Sequence, residues 1–203
     1  MKLGYSYCEE CHCEHTVGHH LMAIDWPDWQ YSTQANALLA RIKPLFGLRR
    51  IIRYNPRERI KDESVAEHIA FVALLVIELY KDFDFNLEKS LLMALFHDIA
   101  EVKTSDVPHD VKKRFPKVEA ALREAEHQTL EDWGQLQAKE LLSEFEEKKT
   151  IESLIVNLAD AFSVKLYSDA EVELGNSTFK EIQSGIEVRI GELFQKIPQK
   201  VYR

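Results

Sequence analysis

The sequence has few of the residues that break helices, and few of the residues that cross-link distant segments. Only 7 Gly and 6 Pro occur among 203 residues, and the long stretches between them are rich in Leu, Ala, Glu and Lys. This composition favours helix over sheet and predicts an all-α fold. The three cysteines, Cys8, Cys11 and Cys13, lie close together, so a disulfide cannot join distant parts of the chain. The fold therefore depends on its hydrophobic core.

Long apolar runs and an excess of positive charge are also missing. No stretch approaches the ~20 apolar residues that span a bilayer, and the first residues lack the apolar core of a signal peptide. The formal net charge of -8 argues against a general nucleic-acid-binding surface. We therefore expect a cytoplasmic protein that binds neither membranes nor nucleic acid.

The chain divides into two parts by composition. Residues 1–31 are crowded with Cys, His and aromatic residues, and they predict an N-terminal extension of uncertain order. Residues 32–203 predict one helical domain, and we expect no strand anywhere in the chain. Ser64 and Glu67 have the spacing of a capping box at a helix start. The predicted helices cover about 33–46, 64–80, 86–101, 117–133, 136–173 (as one helix or two) and 178–195.

Ionisable residues interrupt three of the apolar helical patterns. His68 lies on or beside the core-facing side of its helix, Asp98 follows the apolar stripe of the next, and Asp160 lies inside "SLIVNLADAFSV". His97 and Glu101 are four residues apart on the same predicted helix, so we expect them to share a face. Imidazoles and carboxylates together suit a divalent transition metal such as Mn²⁺, Co²⁺, Fe²⁺ or Zn²⁺.

Each of these residues also has an ordinary explanation when it is taken alone. His68 is compatible with a hydrogen-bonded core histidine, Asp160 with a helix cap, and the His97-Asp98 pair with chance. The set of four, followed by an acid one turn after His97, favours a metal site held by His68, His97, Asp98 and Asp160.

This set resembles the signature of the HD-domain phosphohydrolases, and the resemblance covers roughly residues 33–195. The stretches "ESVAEH" (63–68) and "HDIAEVKTSDVP" (97–108) resemble more specifically the small bacterial 5′-deoxynucleotidases. The resemblance implies an all-α HD-domain helical bundle that forms a homodimer. It also implies a metal-dependent enzyme that removes phosphate from deoxyribonucleoside 5′-monophosphates.

The resemblance also implies roles for two residues near the metal. Glu101 matches a catalytic Glu, which would orient or deprotonate the attacking water; a solvent-exposed helix end is the alternative. Arg53 lies fifteen residues before His68, where the resembled enzymes place a phosphate-contacting Arg. It belongs to a basic stretch, 41–61, with eight Lys or Arg residues and one acid, and a guanidinium can bind two phosphate oxygens.

Two further positions concern the sugar. Tyr54 stands where the resembled enzymes carry a Trp whose bulk excludes a 2′-hydroxyl; Tyr is smaller and brings its own hydroxyl group. Strict selection of deoxyribose is therefore in question, although we expect deoxyribonucleotides to be preferred. Asp106 matches a family aspartate that takes part in catalysis and sugar binding, with Ser105 in place of the usual Gly. A turn-forming Asp before Pro108 is the alternative.

Other functions remain open at this stage. A deoxynucleoside triphosphate triphosphohydrolase could use the same metal site, and a non-catalytic nucleotide-binding module could keep the same fold.

The N-terminal segment has two interpretations: Cys8, Cys11 and Cys13 bind a second metal, a zinc, or the segment forms a metal-scavenging tail. The last helix carries apolar residues that serve either the dimer or the core: Ile182, Ile186, Ile190 and Leu193.

Overall fold

The computed structural model describes residues 5–8, 13–16 and 33–203 and divides the chain into two compact units, 1–42 and 43–203. The first unit contains an antiparallel hairpin and a helix: β1 (Tyr5–Cys8), β2 (Cys13–Thr16) and α1 (Thr33–Ile42). The expectation that the sequence holds no strand is wrong at this hairpin. Tyr5 and Tyr7 alternate along β1, and aromatic residues favour extended backbone. The predicted boundary between residues 31 and 32 stays a prediction.

The second unit is built from helices, which confirms the prediction of an all-α fold for this unit. Its α-helices are α2 (Val65–Leu79), α3 (Leu87–Phe96), α4 (Glu101–Thr104), α5 (His109–Arg114), α6 (Pro116–Asp132), α7 (Leu136–Glu147), α8 (Ile151–Glu173) and α9 (Lys180–Lys196). Short 3₁₀ helices cover Lys43–Arg50, Ser177–Phe179 and Gln199–Val201. Within the described ranges, no helix combines the length and the hydropathy that a bilayer requires.

Helix α8 is the centre of the packing, because α2, α3, α7 and α9 all pack against it. The main core gathers Val72 and Val76 of α2, Met93 of α3, and Ile155 and Leu158 of α8, all of them fully buried. Because α8 is enclosed on so many sides, a polar side chain in its middle lies inside the protein. Asp160 occupies that position.

Helix caps explain where the main elements begin. The side chain of Ser64 accepts the backbone N–H of Glu67 at 3.2 Å, and the Glu67 carboxylate accepts the backbone N–H of Ser64 at 2.8 Å, so the predicted capping box is present. Thr150 caps α8 in the same way with Ser153, after Lys148 ends α7 in the left-handed conformation. These caps divide the predicted 136–173 stretch into two helices.

The predicted helix over 86–101 is too long. Helix α3 ends at Phe96, residues 97–100 form turns, and α4 begins at Glu101. Ile99 and Ala100 are buried in a second apolar cluster, and this burial accounts for the chain leaving the helix axis. His97 and Glu101 therefore do not share a face of one continuous helix. The segment after Pro108 also differs, since a short helix, α5, stands where the sequence predicted a loop.

Candidate metal centre and active site

Three ligand-type side chains meet where α2 passes the end of α3. The Nε2 atoms of His68 and His97 lie 3.3 Å apart. Asp98 Oδ2 lies 3.5 Å from His68 Nε2 and 3.2 Å from His97 Nε2. One atom from each of these three residues lies within 4.8 Å of the others, a spacing that suits a metal ion. Both histidines are buried, while the Asp98 side chain remains 23% exposed and leaves the centre open on one side.

The hydrogen-bond partners of the two histidines leave Nε2 of each ring facing the centre. His97 Nδ1 lies 2.7 Å from the carbonyl oxygen of Ala94, so in the neutral ring Nδ1 donates its hydrogen there and Nε2 carries the lone pair. Without a cation, the effect of burial is outweighed by Asp98 and Asp160, which raise the pKa of His97. Burial and the Arg53 guanidinium lower the pKa of His68 to about 4, which keeps this imidazole neutral. Two imidazole nitrogens and a carboxylate that face one another form a donor set for a divalent transition metal. The residues present therefore fit the metal that the sequence predicted.

Asp160 approaches His68 from α8, but it lies outside the group of three residues whose ligand atoms are all within 4.8 Å of one another. Its Oδ1 lies 3.3 Å from His68 Nε2, and its Oδ2 accepts a hydrogen bond from Arg189 Nη2 at 2.9 Å. Burial disfavours the ionised carboxylate, but Arg189 and the histidines outweigh it and hold the pKa of Asp160 well below its usual range. Arg189 Nη2 also donates to Asn157 Oδ1 at 3.2 Å. Oδ1 of Asp160 is thus directed to the centre while Oδ2 is held from behind.

Sequence reasoning missed Arg189. It lies on α9, 29 residues after Asp160, and it belongs to no motif; only the packing of α9 on α8 brings the two together. Because it holds a candidate ligand without reaching the centre itself, we regard Arg189 as a positioning residue.

Replacing Arg189 by Met is expected to weaken Mn²⁺ binding about 10- to 100-fold, the usual effect of losing a partner that orients a metal ligand. Isothermal titration calorimetry measures this affinity directly. Arg189→Lys keeps the positive charge and is expected to retain most of the affinity. Unchanged Mn²⁺ affinity in Arg189→Met would show that Asp160 needs no support from α9.

Glu101 lies at the first position of α4 and is buried, not exposed at a helix end. Its Oε2 has no hydrogen-bond partner within the described part of the chain. Burial, with Asp98 and Asp106 nearby, raises the pKa of Glu101 well above its usual value. A buried carboxylate oxygen without a partner is costly, and a carboxylate of raised pKa suits proton transfer near neutral pH.

Arg53 lies beside His68 and is buried as well. Its Nη1 donates to Glu63 Oε2 at 2.7 Å and lies 2.9 Å from His68 Nδ1. His68 Nδ1 is also 3.0 Å from Ser163 Oγ. Arg53 therefore places a permanent positive charge next to Nδ1 of His68, on the side of the ring opposite to the candidate metal centre.

Tyr54 and Asp106 are joined by a hydrogen bond, since the backbone N–H of Tyr54 donates to Asp106 Oδ2 at 2.8 Å. The bond connects two strained segments. Tyr54 has φ 56°, and Ser105, next to Asp106, has φ 62°; few residues other than glycine adopt this region. Asp106 thus anchors a distant segment, which a turn-forming role before Pro108 does not require.

Replacing Ser105 by Gly is expected to raise the free energy of unfolding by about 1 kcal/mol, because relief of backbone strain exceeds the chain entropy that glycine loses. Ser105 has φ 62° and ψ 164°, a combination that is essentially reserved for glycine. Urea denaturation measures the change, and Ser105→Ala, which keeps a Cβ, is expected to show no gain. A Ser105→Gly variant no more stable than the parent would contradict the strain.

Comparison with known sequences agrees with this geometry. The family model described as "5'-deoxynucleotidase YfbR-like" matches residues 42–201. The 5'-deoxynucleotidase PM0747 of Pasteurella multocida (strain Pm70) is 30% identical over 152 residues, which are 69% of this chain and 78% of that protein. A 5'-deoxynucleotidase of Yersinia pestis (strain Pestoides F) is 30% identical over 159 residues, 70% of this chain and 79% of that protein.

Solved structures share the fold. A conserved hypothetical protein from Pyrococcus furiosus superposes with a TM-score of 0.66 at 25% identity, over 78% of this chain and 95% of the other. An HD-domain phosphohydrolase from Listeria innocua superposes with a TM-score of 0.61 at 23% identity, over 79% of this chain and 82% of the other. With residues 42–201 inside the matched family, the chain belongs to the YfbR-like 5'-deoxynucleotidases, enzymes of the HD-domain fold.

Proposed function

We propose that this protein hydrolyses nucleoside 5′-monophosphates to nucleoside and phosphate, with deoxyribonucleotides preferred. One divalent metal would be held by His68, His97, Asp98 and Asp160. The observation that carries the proposal is the buried carboxylate of Glu101, which has an oxygen without a partner in the described part of the chain and lies near this donor set. The activity that the names of the Pasteurella and Yersinia relatives state supports the same substrate class.

A bound Mn²⁺, Co²⁺, Fe²⁺ or Zn²⁺ ion would polarise a phosphoryl oxygen and lower the pKa of a water molecule. Glu101 accepts one proton of the attacking water as the water oxygen forms its bond to phosphorus. The bond between phosphorus and the 5′ oxygen breaks, and that oxygen leaves and takes up a proton from solvent, to which Glu101 returns the proton it accepted. The raised pKa of Glu101 makes its carboxylate a stronger base than that of an exposed glutamate, which suits this task.

Arg53 is proposed to bind the substrate phosphate. If Nε2 of His68 holds a metal, the ring carries its hydrogen on Nδ1, and this hydrogen has an acceptor in Ser163 Oγ at 3.0 Å. Arg53 Nη1, 2.9 Å from the same Nδ1, then faces a donor and has to direct its N–H elsewhere. An incoming phosphate provides oxygens that accept it, so binding of metal would make Arg53 available to the substrate.

The sugar is proposed to lie between Tyr54 and Asp106. Oδ2 of Asp106 accepts the Tyr54 backbone N–H, which leaves Oδ1 for a hydroxyl of the sugar. The Tyr54 ring would stand against the 2′ position and disfavour ribose through its bulk. Asp106 therefore has a double role in the proposal, as an anchor for Tyr54 and as a sugar contact.

Phosphate release from a panel of deoxy- and ribonucleoside 5′-mono- and triphosphates tests the proposal, with Mn²⁺ or Co²⁺ and with chelator. We expect release from the deoxyribonucleoside monophosphates that chelator abolishes. Loss of triphosphates with the monophosphates untouched would replace the proposal with a triphosphohydrolase. No turnover of any nucleotide would indicate a non-catalytic binding module.

A homodimer and a cytoplasmic location remain proposals, and sedimentation analysis tests the first. Ile186 and Leu193 of α9 are buried in the core of their own chain, so a dimer would need another surface.

A second zinc in the N-terminal segment is also proposed. Cys8 and Cys13 are paired residues of the hairpin, whereas Cys11 lies outside the described residues. Zinc content of a Cys8→Ser, Cys13→Ser variant tests this site.

A further inference from the structure

Residues 51–64, which we call the Tyr54 loop, precede α2. Three aromatic rings, which we call the aromatic cluster, join this loop to α8: Tyr54, Tyr167 and Phe179. The rings of Tyr54 and Tyr167 are stacked, with centroids 5.3 Å apart and planes 6° apart. The ring of Phe179 is fully buried and is T-shaped to both tyrosines, with centroids 5.4 Å from Tyr54 and 5.6 Å from Tyr167. Each ring thus touches the other two, which is a favourable arrangement for aromatic side chains.

The backbone of Tyr54 is also held in one conformation. Its φ of 56° is rare for a bulky side chain, and the hydrogen bond from its N–H to Asp106 Oδ2 holds it there. The Arg53 guanidinium covers the Tyr54 ring at 5.1 Å from the centroid. A strained residue held by this many contacts is typical of a functional position, where the strain is kept because the geometry matters.

Tyr167 connects this arrangement to the rigid centre of the fold. It lies on α8, seven residues after Asp160, so the two residues lie on a similar side of the helix two turns apart. Its hydroxyl donates to the carbonyl oxygen of Lys61. One turn later the buried carboxylate of Glu171 accepts the backbone N–H groups of Ile60 at 2.8 Å and of Lys61 at 2.9 Å. Helix α8 therefore holds both the Tyr54 ring and the end of its loop.

We infer that Tyr167 determines sugar specificity as a positioning residue: its ring backs the Tyr54 ring and prevents it from yielding to a ribose 2′-hydroxyl. The inference rests on the proposed function. A pocket excludes a slightly larger substrate only if its wall does not move, since a mobile side chain would make room for one added hydroxyl. Tyr is smaller than the Trp of the resembled enzymes, and the stacked second ring supplies the missing support.

The experiment compares kcat/KM for a deoxyribonucleoside 5′-monophosphate and for the ribonucleotide with the same base. In Tyr167→Ala we expect the preference for deoxyribose to fall about tenfold, mainly through faster hydrolysis of the ribonucleotide, because one hydroxyl in a pocket is worth roughly 10–100-fold. Tyr167→Leu, which keeps most of the apolar volume but lacks the flat ring, is expected to show the same loss. Tyr167→Phe keeps the stack and is expected to keep the preference.

The outcomes separate this inference from the proposed function. A parent protein that hydrolyses neither monophosphate overturns both. A parent protein that prefers deoxyribose, together with folded Ala and Leu variants of the same preference, overturns the inference alone. A lower rate with both sugars and an unchanged ratio also overturns it, because a purely structural role for Tyr167 lowers activity without changing the choice of sugar. Tyr54→Phe completes the set: slower ribonucleotide hydrolysis in this variant would show that the hydroxyl of Tyr54 binds the 2′-hydroxyl instead of excluding it.

Discussion

Replacing Asp98 by Ala is expected to lower kcat/KM by about 10³-fold or more, because losing a metal that activates water removes several kcal/mol of transition-state stabilisation. Asp98 Oδ2 is within 3.5 Å of the Nε2 atoms of both His68 and His97. Without this carboxylate the proposed donor set keeps two imidazole nitrogens and Asp160, and it loses a negative charge that would balance the cation. Phosphate release and Mn²⁺ titration by calorimetry measure the two expected losses.

Asp84→Ala provides the matched control. The Asp84 side chain is 78% exposed and pairs with Arg203 at 3.4 Å, and exposed ion pairs of this kind contribute little to stability. We therefore expect this variant to match the parent protein in activity and in Mn²⁺ affinity. Full Mn²⁺ affinity in Asp98→Ala would refute the metal centre as assigned, whatever happens to the rate.

The positions of the proposed ligands on the fold were predictable because they depend on local rules. The capping box at Ser64 fixes where α2 begins, and the helical period then turns His68 inward. Asp160 lies in an apolar stretch that only a central helix would carry, and α8 is that helix. Composition, caps and periodicity were therefore sufficient for the all-α fold and for placing these residues in the interior.

The local path of the chain after α3 was not predictable in the same way. The residues 97–101 have no glycine or proline to end a helix, so propensity favours continuation. The helix ends because Ile99 and Ala100 gain burial in a second apolar cluster, and such a gain depends on the packing of α6 and α7. Tertiary burial outweighed local preference here, and it placed Glu101 at the start of a new helix.

Supporting residues were the hardest to anticipate. Arg189 and Tyr167 contact residues that lie 29 and 113 positions away, and neither belongs to a motif. Their side chains become informative only when α9 and the Tyr54 loop are packed on α8. Ligands that bind a metal are limited to few residue types, whereas the residues that hold a ligand or a ring in place can be of almost any type. Sequence patterns therefore revealed the first group and not the second.

Replacing Glu101 by Gln is expected to lower kcat by about 10²- to 10⁴-fold, the usual contribution of a positioned acid or base. Mn²⁺ affinity is expected to persist, since Glu101 is not one of the proposed ligands. Glu78→Gln is the control, because the Glu78 side chain is 67% exposed on α2 and paired with Lys81. Full activity in a metal-loaded Glu101→Gln variant would exclude Glu101 from proton transfer.

The same substitution is expected to stabilise the metal-free protein at neutral pH by about 1–3 kcal/mol, because the buried site disfavours the ionised form of Glu101 and Gln carries no charge. The pKa of Glu101 is raised well above 4.5 by burial, with Asp98 and Asp106 adding to the effect. A carboxyl group with a raised pKa favours folding below its ordinary pKa, and this contribution is lost as the pH rises through the folded value. Gln stays neutral throughout, so the variant should gain stability over the parent as the pH rises. Urea denaturation with chelator at acidic and neutral pH measures this difference. If Glu101 destabilises the fold at the pH where it is needed for catalysis, its position is explained by the reaction and not by stability. A Glu101→Gln variant that is less stable than the parent at neutral pH would instead assign Glu101 a structural role.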